Sequence, residues 1–167
     1  MALVLSMPLT ILIHELGHAV VARYLSRRPV DVQIGTGGPA VRINVRSLRL
    51  TLSARQSLLG VGGWASFDRS ELTAVSLLFI ALAGPAASAA GAVATGALLG
   101  GRAETSFVSD LLSAVTFGGW GCCVLNLVPF KLPMRGGRRV CTDGLVALGA
   151  LARAMVRAAM DPAWRPA

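Results

Sequence analysis

The sequence predicts a polytopic α-helical membrane protein with about three core transmembrane helices and a short C-terminal helix. A small antiparallel β-sheet is inserted after the first helix. Three observations predict it. Of 167 residues, 54% are hydrophobic and only 14% charged, where soluble domains carry about 25% charged residues. Leu72 to Gly101 and Leu111 to Phe130 contain no charged residue, and each exceeds or matches the ~20 helical residues that cross a hydrocarbon core. Between the first two apolar segments the period of hydrophobic residues changes from helical to alternating. The hydrophobic content excludes a disordered chain. The net charge of +8 is carried by too few residues for a nucleic-acid binder. The length suits one domain, and residues 1–167 read as a single membrane-embedded unit.

Taken in order, residues 1–25 form the first span, apolar from Met1 to Ile13 and continuing as helix through Ala22, interrupted only by His14, Glu15 and His18. No basic stretch precedes it, so it reads as a retained span and not a cleaved signal. Residues 30–66 are the sheet region. Val41, Ile43 and Val45 alternate with Arg42, Asn44 and Arg46, and Leu48, Leu50 and Leu52 alternate with Arg49, Thr51 and Ser53, the pattern of half-buried strands. Val30, Val32 and Ile34 suggest a further strand before a glycine-rich turn. Residues 72–101 and 107–130 are the second and third spans, 131–142 a basic loop, and 143–160 a final helix with Arg153 and Arg157 on one face, either interfacial or a shallow fourth span.

Charge orients the spans. Eight arginines lie between Arg23 and Arg69, and Lys131, Arg135, Arg138 and Arg139 follow the third span, whereas Arg102 is the one basic residue between the longer spans. By the positive-inside rule both basic regions face the cytoplasm. The Ala/Arg-rich, Lys-poor composition suggests a GC-rich bacterial genome, so the expected location is a bacterial cell membrane. Gly84, Ser88, Ala92, Gly96 and Gly100 put small side chains on one face of the second span, a ridge that admits a close neighbour within the chain or in a homodimer. Cys122 and Cys123 read as packing residues.

The first span carries His14-Glu15-Leu16-Gly17-His18, an HExxH motif containing the only two histidines of the chain. Residues four apart share a helix face, so both imidazoles can hold one zinc ion with the glutamate beside its water. Ionisable groups at membrane depth are expensive and mark functional sites. A catalytic zinc takes three protein ligands, and here the third must be a carboxylate or cysteine. The motif lies roughly 20–26 Å along the first helix, toward the cytoplasmic side. Glu104 and Asp110 belong at the opposite face and Asp161 lies beyond the last helix, which leaves Asp31, Asp68, Glu71 and Asp143. Asp68 and Glu71 also suit a cap or dipole role at the second span, and Asp143 a helix N-cap. Asp143 is preferred on location, with Cys141 the weaker alternative.

HELGH in a first transmembrane helix, with Asn126-Leu127-Val128-Pro129 and then Asp143-Gly144 further on, resembles the site-2 proteases, intramembrane zinc metalloproteases. Ala83-Gly84-Pro85-Ala86 and Gly62-Gly63-Trp64-Ala65 are similar to two further family segments, so the resemblance runs from about Leu9 to Gly144 in the family's order. It implies that His14, His18 and Asp143 bind one zinc ion, that Glu15 is the general base and that Asn126 contacts the substrate backbone. A strand at Gly63 and Trp64 would pair with an unwound substrate. Asn126 and Asp143 are seventeen positions apart, more than in many members, and Pro133, Gly136 and Gly137 read as an inserted loop.

The expected activity is hydrolysis of a peptide bond in a transmembrane protein substrate near the cytoplasmic side. The substrate helix must unwind first, since its backbone groups are self-satisfied in lipid. Pro129 and Gly118-Gly119 are candidates for loosening the third span. The competing expectation is a catalytically silent zinc-binding membrane protein that recognises or scaffolds a partner. Glu15 argues against it, because zinc binding alone does not need that residue. A regulatory membrane partner is compatible with either reading.

Overall fold

The computed structural model describes residues 2–35, 37–53, 62–100, 106–133 and 139–160. Arg102, Arg135, Gly136, Gly137 and Arg138 lie outside the described residues. Helix α1 spans Ala2–Ser26, followed by strands β1 (Val30–Ile34), β2 (Ala40–Val45), β3 (Leu48–Ser53) and β4 (Gly63–Ser66). Helices α2 (Ala74–Leu99) and α3 (Phe107–Leu127), strands β5 (Lys131–Pro133) and β6 (Arg139–Cys141), and helix α4 (Asp143–Met160) complete the chain. Among the described residues, three helices are long and apolar enough to cross a membrane: Val4–Ser26, Ala74–Leu99 and Phe107–Leu127. The fold is the membrane-protein architecture that the hydropathy predicts.

Local chemistry sets the ends. The Thr73 hydroxyl caps α2 by accepting from the Ser76 N–H at 3.1 Å, and Ser106 caps α3 through the Ser109 N–H at 3.2 Å; each satisfies a donor that has no partner inside the helix. Asp68 and Glu71 therefore do not cap the second span. Both pair with Arg28 instead, Asp68 at 2.5 Å. The third span stops at Leu127 rather than Phe130 because Val128 precedes Pro129, which excludes it from the helical region; Val128 is extended at φ −69°, ψ 124°. Pro129 thus ends the helix, and Gly118 and Gly119 lie within an unbroken one.

The inserted sheet is mixed, in the order β2-β3-β1-β4. Pairs β2–β3 and β1–β4 are antiparallel as expected, but β1 and β3 run parallel, Val30 opposite Leu48 and Ile34 opposite Leu52. The difference arises because β2 folds back on β3 as a hairpin and β3, not β2, inserts beside β1. Directly paired residues share a sheet face, so Val45, Leu48 and Val30 form one apolar row and Ile43, Leu50 and Val32 another. Val30, Val32 and Ile34 are fully buried against Ala19 and Ala22 of α1 and Ile80 of α2. Each such side chain contributes about 1.5–3 kcal/mol. The strands run alongside α1: Ile34 and Leu52 share a cavity with Leu5 and Leu12, while Val45 and Leu48 share another with Ala19 and Tyr24.

The helices pack through small residues. A Cβ on Gly17 would lie 2.5 Å from the Ala83 carbonyl oxygen, and one on Gly119 would lie 3.0 Å from the Ala92 Cβ. Gly84, Ser88 and Ala92 of the predicted ridge are buried within the chain. Thr95 and Thr116 hydroxyls join α2 to α3 at 2.7 Å. Large apolar side chains such as Phe117 (79% exposed) and Leu125 (62%) point outward instead.

Candidate metal centre

His14, Glu15 and His18 lie on α1 and are all buried. One turn of helix brings the two imidazoles together, with ring centroids 4.8 Å apart and planes at 85°. Their outer nitrogens are held by α2. His18 Nδ1 donates to the Ile80 carbonyl at 2.7 Å, and His14 Nδ1 lies 2.9 Å from the Ser88 hydroxyl. Gly84 makes room for this, since a Cβ there would sit 2.2 Å from His18 Nε2.

A carbonyl can only accept, so neutral His18 carries its proton on Nδ1 and presents a lone pair at Nε2. The Ser88 hydroxyl can accept from His14 Nδ1 in the same way. The two Nε2 atoms are 3.2 Å apart. Asp143 closes the group, one carboxylate oxygen 2.9 Å from His14 Nε2 and the other 3.3 Å from His18 Nε2. The three ligand atoms lie within 4.8 Å of one another. Two imidazole lone pairs and a carboxylate converging on one point, each histidine oriented by a second partner, form a donor set that fits a divalent metal such as zinc.

Asp143 reaches the histidines because of what surrounds it. The described ends of the basic loop, β5 and β6, pair antiparallel, Lys131 with Cys141 and Pro133 with Arg139. This pairing returns the chain to its starting point. The Thr142 N–H donates to the Phe130 carbonyl at 3.1 Å, and its hydroxyl donates to the Val128 carbonyl at 2.7 Å. The seventeen-residue spacing is thus absorbed without moving Asp143 from the end of α3. Gly144 then packs on the Leu127 backbone, where a Cβ would fall 2.0 Å from the carbonyl oxygen. Thr142 is the residue whose carbonyl receives the first α4 bonds, from the Leu145 and Val146 N–H groups, so the Asp143 carboxylate does not serve as the N-cap.

The other candidate ligands lie elsewhere. Asp31 pairs with Arg49 at 2.7 Å, and Asp68 and Glu71 are engaged by Arg28. Cys141 borders the same cavity of about 250 Å³ as the two histidines but is outside the three-residue group. Glu15, Gly63, Trp64 and Asn126 border that cavity too. A Cβ on Gly63 would come within 2.9 Å of the Glu15 Cγ, so β4 passes directly over the glutamate. The Asn126 amide nitrogen donates to the Cys122 carbonyl one turn back, at 2.9 Å, a bond within its own helix. Ser88 and the Ile80 carbonyl were not legible as site groups in the sequence. For Ser88 the only signal was its place on the small-residue ridge, four residues beyond Gly84.

Three helices apolar and long enough to cross a membrane surround a buried HExxH pair and a converging carboxylate, the arrangement of a membrane protein with a candidate metal centre. The model of peptidase family M50 matches residues 2–154, and the chain belongs to that family, the site-2 protease family. Its members are generally zinc metallopeptidases. No curated protein matches the chain.

Proposed function

We propose that the protein is an intramembrane zinc endopeptidase, in one membrane-embedded domain, that cleaves a transmembrane protein substrate near the cytoplasmic side of the membrane. The observation that carries this reading is the convergence of His14 Nε2, His18 Nε2 and the Asp143 carboxylate in a cavity that Glu15 and Asn126 also border. His14, His18 and Asp143 would hold one zinc ion. When bound, zinc supplies Lewis-acid chemistry, polarising a peptide carbonyl and acidifying water. Glu15 accepts the proton of the attacking water and passes it to the leaving amine. Ser88 and the Ile80 carbonyl keep the imidazoles turned toward the reaction centre. Asn126 offers an amide to a peptide group that has no water available. Strand β4 lies at the end of the sheet, so its outer edge, at Gly63 and Trp64, suits addition of an unwound substrate segment.

Glu15→Gln should retain zinc and lose cleavage of a co-expressed transmembrane substrate by at least about a hundredfold. Unchanged cleavage would sink the mechanism. Asp143→Ala should lower zinc per chain, measured by elemental analysis in mild detergent; equal zinc in wild type and variant would move the third ligand elsewhere. Zinc bound by a wild type that cleaves no offered substrate, with Glu15→Gln indistinguishable from it, would favour the silent zinc-binding scaffold.

A further inference from the structure

The apolar face of the sheet is wider than the helix that covers it. Val30, Val32 and Ile34 on β1 are buried under α1, but their row-mates on β2, Val41 (61% exposed), Ile43 (43%) and Val45 (59%), extend beyond it. This uncovered margin leads into a cavity of about 730 Å³ between the last turns of α1 and the β2–β3 turn. Three arginines line that cavity: Arg23, Arg27 and Arg46. Among the described residues no carboxylate borders it, and the nearby acidic groups are already taken, Asp31 by Arg49 and Asp68 and Glu71 by Arg28. The Arg23 Nε donates to the Ser47 hydroxyl, tying α1 to the turn.

A second observation singles out the same place. Among the described residues, the only non-glycine residues with positive φ are Arg27 (56°) and Arg46 (54°), and both line this cavity. The left-handed conformation is one that glycine or asparagine adopts more easily. Both positions need that conformation, Arg27 where its N–H closes α1 on the Arg23 carbonyl and Arg46 in the two-residue β2–β3 turn. Arginine at both, in place of glycine or asparagine, puts two cations at one cavity at some cost in backbone strain.

We propose that this cavity binds the phosphate of an anionic membrane lipid, with its acyl chains along the Val41-Ile43-Val45 margin. The level is right. The cavity lies at the end of a membrane-spanning helix, beside the exposed Val20 and Tyr24 of α1, and tyrosine is enriched where apolar and headgroup zones meet. Guanidinium groups match phosphate oxygens in charge and geometry, and basic clusters next to spans bind acidic lipids. A soluble phosphate would use the same arginines but leave the apolar margin uncovered. This site is separate from the metal centre and does not rest on its assignment.

The test titrates the full chain, purified in detergent, with phosphatidylglycerol or phosphatidylcholine and reads bound lipid by native mass spectrometry. Wild type should bind phosphatidylglycerol in preference. The double variant Arg27→Gly/Arg46→Gly should lose about twenty-five-fold in that affinity, about fivefold for each arginine, while its melting temperature without lipid holds or rises because strain is relieved. Arg42→Asn, on β2 but outside the cavity, should bind as wild type. Equal binding of the two lipids, or equal loss in Arg42→Asn, would overturn the proposal in favour of diffuse charge. Displacement of phosphatidylglycerol by inorganic phosphate at similar affinity would overturn the lipid assignment. If the double variant fails to fold, Arg46→Gly alone carries the test; a melting temperature lowered in that variant would assign these arginines a structural role and overturn the proposal.

Discussion

The two halves of the molecule are packed by opposite rules. On the sheet side, the largest fully buried side chains are Ile34, Val30 and Val32, as in a water-soluble core. Between the helices, the buried residues include Ser6, Thr10, His14, Glu15, His18 and Ser88, while Phe117, Leu125 and Val93 face outward. The difference follows from the solvent. Where the surroundings are apolar, burying leucine gains little, and close backbone approach and hydrogen bonds hold helices together. The site occupies the half whose interior tolerates polar groups, and the other half braces it.

That contrast is open to direct attack. The largest effect is expected from Gly84→Ala, which drives a methyl group into His18 Nε2; zinc affinity should fall by a hundredfold or more, with the three helices still formed by circular dichroism. Full zinc content in this variant would show that the α1–α2 contact is looser than the close packing requires. Next, Ile34→Ala should lower stability by about 2–5 kcal/mol in thermal unfolding, yet leave zinc per chain near wild type. Loss of both together would mean that sheet and site are one cooperative unit.

Ser88→Ala should cost about ten- to a hundredfold in zinc affinity and little stability, since it removes a partner of His14 without disturbing the close packing. An unchanged metal affinity would remove Ser88 from the site. The smallest effect is at the surface. The Asp68 carboxyl is held below the ordinary 3.8, first by the Ser70 backbone N–H and to a lesser degree by Arg28. A depressed carboxylate stabilises the fold above its ordinary value, and that contribution disappears as pH falls through the lower folded value. Arg28→Gln should therefore raise the Asp68 midpoint only slightly in an NMR titration. Return of the whole shift would make the ion pair, not the turn, its cause.

Much of the architecture was legible because it is written locally. The alternation at Val30, Val32 and Ile34, and at Leu48, Leu50 and Leu52, located strands that the structure contains. The parallel pairing of β1 with β3 was not legible, since a period of two fixes which face a residue takes and says nothing about which strand inserts beside which. The basic loop reads as an insertion, and the pairing of β5 with β6 is not legible because the apolar signal in Lys131–Cys141 is short and interrupted by charge.

By itself the sequence determined the spans and the placing of His14, Glu15 and His18 on one stretch of helix, because hydropathy and the helical period act within a single element. Only the tertiary structure decided how Asp143, 129 residues from His14, meets the two imidazoles, and that Ser88 and the Ile80 carbonyl orient them. Those contacts depend on how closely Gly84 and Gly144 allow helices to approach, a property of packed surfaces that no single segment carries.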